Sequence, residues 1–183
     1  MREKRVAPFV VLAVAAVLAG LFVVLAGSDA STNETADTPL LDQPAPEAVG
    51  TRADGSSFDL ARRKGSWVVL NFFTSTCVPC QQEHPDLVRF AEQQAALGGD
   101  GAELYTIVYD DDREAVEEFF TENGGDWPVV YDDDGSIAVA FGVSQVPETW
   151  IVDPTGVVRG RMISRVTADF LGSEIQRLKE RLG

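Results

Sequence analysis

The chain has 183 residues, with 29 acidic against 15 basic side chains and a net charge of −14. That balance works against nucleic acid or an anionic lipid surface as a partner, because both select clustered Lys and Arg. With two cysteines and one histidine, the chain falls short of a four-ligand structural zinc site, and no cofactor or resident metal is expected.

Met1-Arg2-Glu3-Lys4-Arg5 opens the chain, and no charged residue occurs from Val6 to Gly27. A hydrocarbon core takes about 20 apolar residues, whereas a cleaved signal peptide carries an apolar region of about 7–15. Residues 1–27 therefore read as a cytoplasmic tip and a transmembrane signal-anchor, with cleavage near Ala26 or Ala30 as the alternative. Arg2, Lys4 and Arg5 precede the span and no basic residue follows it until Arg52, so a single-pass protein of the cell membrane is expected, its N-terminus cytoplasmic. Residues 28–45, rich in Ser, Thr, Asp, Asn and Pro, read as a flexible polar linker. Residues 46–183 have the size of one ordinary domain.

Within that domain, Trp67 to Phe73 is a nearly continuous apolar run of the kind found in a strand covered on both faces. It leads into Cys77-Val78-Pro79-Cys80, after which Leu87, Val88, Phe90, Ala91 and Leu97 keep helical spacing up to Gly98-Gly99. A second strand is expected over Leu104 to Tyr109, and a short helix carrying Ala115, Val116, Phe119 and Phe120 behind Asp111, Asp112 and Glu114. Trp127 to Tyr131 reads as a short strand and Ser136 to Phe141 as a brief helix. Glu148 to Val152 and Gly156 to Arg161 flank the turn Asp153-Pro154-Thr155-Gly156 as a hairpin, and Val166 to Leu182 closes the chain as a helix. The expected fold is α/β: a central mixed sheet with helices on both faces, βαβ first and a hairpin plus helix last.

The two cysteines carry the chemistry. A disulfide closing a loop of about 4 residues contributes only roughly 2 kcal/mol of stability, so reversible exchange explains the pair better than a staple does. Only a thiolate attacks a disulfide, and a helix N-terminus stabilises that anion through its free N–H groups and macrodipole. Cys77 is thereby the candidate nucleophile and Cys80, one turn inside, the candidate resolving thiol. Pro79 suits an early helical position, where its missing N–H is no loss.

Asn71-Phe72-Phe73, then Cys77-Val78-Pro79-Cys80 with Glu83 and Pro85, then Gly142-Val143-Ser144-Gln145-Val146-Pro147-Glu148-Thr149, follow one another in the order of a known family. Over nearly all of residues 46–183 the chain resembles the membrane-anchored extracytoplasmic thioredoxins of the TlpA, ResA and DsbE type. The resemblance implies a thioredoxin-like fold, preceded here by one N-terminal transmembrane helix, and thiol-disulfide oxidoreductase activity through the CxxC dithiol. It makes Pro147 a cis-proline beside the disulfide and gives Val146 backbone groups that bond an extended substrate. Asn71 stands where cytoplasmic thioredoxins keep a buried acid, and the resemblance offers Glu83 as the group that takes the Cys80 proton; an exposed glutamate in the first helical turns is the other reading. Pro85 is expected to kink the helix, and His84 to be solvated or half-buried, without a catalytic role. The implied partners are protein disulfide substrates, apocytochrome c before haem attachment among them, and a transmembrane thiol electron donor. Thr76 and Phe73 stand where the family usually has tryptophan, and Gln145 where glycine is common, which bears on substrate choice.

Two rivals have a motif of their own. A peroxiredoxin-like peroxidase fits the T-x-x-C spacing of Thr74 and Cys77 but needs proline at the position of Leu70. A copper carrier would hold its cargo through both thiolates and one further ligand, for which His84 is the only imidazole.

Overall fold

The computed structural model describes residues 12–20 and 32–182. The chain divides into two units, Met1–Ser31 and Thr32–Gly183. Of the first, residues 12–20 are helical; the rest of the expected membrane span lies outside the described residues. Among the described residues no helix is long and apolar enough to cross a membrane.

The second unit is built on β4 (Val68–Phe73), six residues that are all buried because their side chains face helices on both sides. Val68, Leu70 and Phe72 turn to one face, where Phe58, Tyr105, Ile107, Ile137, Phe141 and Trp150 pack around them. Val69 turns to the other face, against Leu87, Phe90, Leu171, Ile175 and Leu178. β5 (Glu103–Val108) lies parallel to β4, and β6 (Val129–Tyr131) parallel to β5. The crossovers are α1 (Val78–Ala96) and α2 (Arg113–Asn123), the second capped by the Asp112 carboxylate on the Ala115 N–H at 3.1 Å. After α3 (Ser136–Phe141), ended by Gly142 at φ 67°, the chain returns as β7 (Glu148–Val152), antiparallel to β4. β8 (Val158–Ile163) completes the hairpin, and α4 (Ala168–Leu182) packs on α1. The strands and helices expected from hydrophobic patterning are all present, with ends shifted by a few residues.

Three strands come in addition. β2 (Val49–Arg52) and β3 (Ser57–Asp59) form a hairpin beyond β6, and β1 (Glu34–Thr35) adds to β8, so the sheet runs β1-β8-β7-β4-β5-β6-β2-β3. From Thr32 onward β1 and the segment after it correct the expectation of a flexible linker over residues 28–45; residues 28–31 lie outside the described residues. From Thr32 onward that stretch lies along the domain: the N–H groups of Asn33, Ala36 and Asp42 donate to the carbonyls of Arg165, Arg161 and Val158, and the Val158 N–H donates to Gln43. A polar segment without apolar periodicity still orders when an open strand edge offers its backbone partners.

The seam has a measurable consequence. A domain that begins at Glu47 is expected to be less stable than one that begins at Thr32 by about 2 kcal/mol, the net value of several backbone hydrogen bonds less the cost of ordering the segment. Thermal denaturation of the two should differ by roughly 4–8 °C; equal midpoints would mean that the segment contributes nothing.

Candidate active site

The antiparallel register of β4 and β7 assembles the site. Phe72 pairs with Glu148, so the peptide just before β7 arrives opposite the end of β4, where the chain turns toward the cysteines. That peptide, Val146-Pro147, is cis, the geometry the family resemblance implied. Pro147 is buried, Val146 half-buried and Gln145 exposed. Val146 and Cys77 pack against the cluster that contains Cys80, Phe73, Val108, Val116, Val129 and Tyr131, which brings the two distant motifs together.

Cys77 and Cys80 form a disulfide across the first turn of α1. Cys77 is the N-cap residue: its Sγ accepts the Cys80 N–H at 3.1 Å, and its carbonyl accepts the Gln81 N–H at 3.0 Å. Pro79 occupies the first turn without loss, as expected. The two sulfurs are not equivalent. Cys77 is partly exposed, flanked by exposed Thr76, Val78 and Pro79, whereas Cys80 is 2 % exposed.

The loop before Cys77 is braced from outside the motif. Both Ser75 N–H and Ser75 Oγ donate to the Asp111 carboxylate, the latter at 3.0 Å, and Gln81 Nε2 donates to the Ser75 carbonyl at 2.7 Å. The Cys77 N–H donates to the Thr74 carbonyl at 3.2 Å. Sequence reasoning took Asp111 for a helix-start residue; its contact with Ser75 spans 36 positions and has no local signature.

Beneath the disulfide, Glu83 is 1 % exposed, which overturns the reading of a solvated surface glutamate. The signal lay in the spacing, because Cys80, Glu83, His84, Leu87, Phe90 and Gln94 form one buried stripe of α1. Asn71 Nδ2 donates to Glu83 Oε1 at 3.4 Å and to Thr149 Oγ1 at 3.1 Å, and the Val166 N–H donates to Oε1 at 3.4 Å. Oε2 has no partner. Burial holds the carboxyl well above the usual carboxylate range, helped by Asp86 and opposed by the Val166 N–H and Arg165. A carboxyl whose proton affinity burial has raised thus sits one helical turn along α1 from Cys80.

His84 departs from expectation as well: it is 2 % exposed. Its ring stands edge-on to Phe119 and Phe120 and is tilted against Trp127, and Nε2 bonds the Gly124 carbonyl at 2.8 Å. Burial lowers its proton affinity, which keeps it a neutral donor to that carbonyl. An imidazole fixed this way ties α1 to the end of α2 and is not free to join the thiols on a metal. Among the described residues no three His, Cys, Asp or Glu side chains are placed to hold a metal ion. Leu70, where a peroxidase motif needs proline, is a fully buried central residue of β4.

A CxxC disulfide at the start of a helix, set on a mixed sheet beside a cis-proline, defines a thioredoxin-fold thiol-disulfide oxidoreductase. Residues 41–161 match the AhpC/TSA family, and the chain belongs to that family, among its members of the ResA and DsbE type. The thiol-disulfide oxidoreductase ResA of Bacillus subtilis is 31% identical over 131 residues, which cover 69% of this chain and 72% of that protein. HelX of Rhodobacter capsulatus, a thiol:disulfide interchange protein, is 31% identical over 133 residues, covering 72% and 70%. Among solved structures, a DsbF homologue from Corynebacterium diphtheriae superposes with a TM-score of 0.67 at 26% identity, covering 82% of this chain and 94% of that one.

The buried carboxyl makes stability depend on pH in a stated direction. In the folded protein Glu83 keeps its proton to higher pH than in the unfolded chain, where a glutamate titrates at about 4.3. Its contribution is whole below that value and is lost as pH rises through the folded value. Glu83→Gln removes this loss, so the variant is expected to gain on the wild type, in melting temperature, between pH 4 and pH 8 (roughly the span from the unfolded value upward). A difference that stays constant across that range would contradict a buried, proton-holding Glu83.

Proposed function

We propose that this oxidoreductase is a membrane-tethered reductase of protein disulfides outside the cytoplasm, with apocytochrome c awaiting haem attachment as the favoured substrate. The observation that carries the reading is the inequality of the two sulfurs, one partly exposed at a helix N-terminus and the other buried one helical turn from a carboxyl whose proton affinity burial has raised. In the reduced protein the Cys77 thiolate attacks one sulfur of the substrate disulfide. That S–S bond breaks, a mixed disulfide forms on Cys77, and the departing substrate sulfur takes up a proton. Glu83, in its ionised form, accepts the Cys80 proton; the Cys80 thiolate then attacks Cys77 Sγ and expels the second substrate sulfur. Two electrons pass to the substrate, and the Cys77–Cys80 disulfide described above is the product state. The Val146 carbonyl and N–H bond the substrate backbone next to Pro147.

Each turnover leaves the enzyme oxidised, so a thiol donor must return two electrons. The length of the uncharged run from Val6 to Gly27 and the basic residues before it support a single-pass anchor with a cytoplasmic N-terminus. A donor that carries electrons across the same membrane through its own thiols fits that topology.

Disulfide reduction by the reduced protein is the direct assay. Cys77→Ser is expected to abolish it, whereas Cys80→Ser should accumulate a mixed disulfide with substrate that dithiothreitol releases. A midpoint potential below about −220 mV supports the reductive direction, and one near −120 mV, about that of a strong oxidant, would reverse it. In pre-steady-state kinetics Glu83→Gln should slow the Cys80 step and flatten its pH dependence; an unchanged profile would remove Glu83 from the proton path.

A further inference from the structure

The seam along β8 reaches past β1 to residues 164–168, the stretch that joins β8 to α4. Thr32 pairs there with Arg165, and the Asn33 N–H donates to the Arg165 carbonyl at 2.7 Å. Asn33 Oδ1 accepts the Thr167 N–H at 2.9 Å and Thr167 Oγ1 at 3.4 Å. Thr167 caps α4, its Oγ1 accepting the Phe170 N–H at 3.3 Å, so its own N–H lies ahead of the helix and gains no partner from it. Asn33 stands at φ 60°, a conformation that asparagine adopts more readily than most residues.

Val166 lies between the two clasped residues, is buried, and gives its N–H to Glu83 Oε1 at 3.4 Å. The same stretch is fixed elsewhere by the Ser164 N–H on the Pro147 carbonyl at 3.1 Å and by the Ala168 N–H on Asp86 Oδ1 at 3.1 Å. Burial and Asp86 on α1 favour the protonated form of Glu83, whereas the Val166 N–H and Arg165 favour the ionised one. β4 contributes the neutral Asn71, held in turn by Thr149 of β7, and Cys80 is one turn away on α1. Of these groups, Val166 and Arg165 are the ones that Asn33 holds in place.

We propose that Asn33 is a positioning residue for the exchange reaction: it holds Val166 and Arg165 against Glu83, and so governs how readily Glu83 accepts the Cys80 proton. The step it influences moves one proton from Cys80 Sγ to a Glu83 oxygen and leaves the thiolate that attacks Cys77 Sγ; no electrons pass until that attack. The inference rests on the proton-acceptor reading of Glu83 given above. It gives the ordered polar segment a part in catalysis, through residues 165–167, which lie outside both the CxxC and the cis-proline motifs.

The test follows the rate of the Cys80 attack step against pH in the full chain, starting from a mixed disulfide on Cys77. Asn33→Gly removes the side-chain oxygen, and glycine adopts a φ of 60° freely, so the fold should survive. With the Val166 N–H less well placed, Glu83 holds its proton to higher pH. The midpoint of the profile is then expected to rise by about half a pH unit, a loss of roughly three-fold in rate on its acidic side. Carbon NMR of the Glu83 carboxyl in the oxidised chain should show the same rise. Asp42→Asn, which cuts the Asp42–Arg159 ion pair of the same segment at 2.6 Å, is expected to leave the midpoint alone. In the Glu83→Gln background, Asn33→Gly should change nothing further. An equal rise in Asp42→Asn, or a rise that persists without the Glu83 carboxyl, would overturn the inference in favour of a general loosening of the segment, and an unmoved midpoint in Asn33→Gly would overturn it outright. A profile unaltered by Glu83→Gln alone would instead remove the proton-acceptor reading, and the inference with it.

Discussion

Glu83 is buried one turn of helix below the disulfide, and a carboxyl group there is tolerated only while its charge is suppressed or met by donors. Both conditions shape the surroundings. Asn71 on β4 reaches Glu83 Oε1 while holding Thr149 on β7, its cross-strand partner, and the backbone ahead of α4 supplies the Val166 N–H. One oxygen atom is thus the meeting point of α1, β4 and the entry to α4, with β7 one hydrogen bond further on. Among the described residues the other oxygen has no hydrogen-bond partner. A polar cluster placed inside an apolar core fixes the relative setting of these elements more tightly than hydrophobic contact would, because misplacement strands a desolvated group.

A second restraint acts on the exposed side. The turn that carries Cys77 is held by its own helix, through the Gln81 amide, and by a carboxylate from the β5–α2 loop, through Ser75. Exchange chemistry needs a sulfur that can be approached in line from outside and from inside by its neighbour. Bracing the loop from both flanks preserves that geometry while leaving Thr76, Val78 and Pro79 open to a partner. The braces explain why the site tolerates Thr76 and Phe73 in place of broad aromatic residues: Phe73 is buried against Phe119 and Phe120 at ring distances of 5.0 and 5.8 Å, and polar bonds hold the loop.

Much of this was legible in the chain. The buried strands announce themselves as unbroken apolar runs, and the CxxC sits where a strand hands over to a helix, so β4, α1, β5 and the β7–β8 hairpin follow from patterning. The β2–β3 hairpin did not, since Val49 to Arg52 and Ser57 to Asp59 are short and carry little apolar periodicity; the Asp54-Gly55 turn between them was the available signal. Residues 32–45 were legible only as polar, because what orders them is the backbone of β8 and not their own side chains. At the site, Cys77 and Cys80 came from spacing and the cis peptide at Pro147 from family resemblance. For Glu83 residue type left a proton acceptor and an exposed glutamate both open, and for His84 it suggested a solvated or half-buried ring; their place on the buried stripe of α1 decides both. The Asp111 brace depends on a fold-level contact and had no trace in local sequence.

The sheet ends in very short strands, β1 of two residues and β3 of three, and the segment that follows β1 occupies the outer backbone of β8. An extended peptide arriving from solution therefore finds its hydrogen-bonding ladder largely closed along the flanks of the domain. Such a molecule is poorly suited to lengthen its sheet by recruiting a stray strand, even when a client presents unfolded chain in quantity. On the proposed reading, in which a substrate backbone bonds the peptide ahead of Pro147, closed flanks let the enzyme engage an extended chain briefly without co-assembling with it.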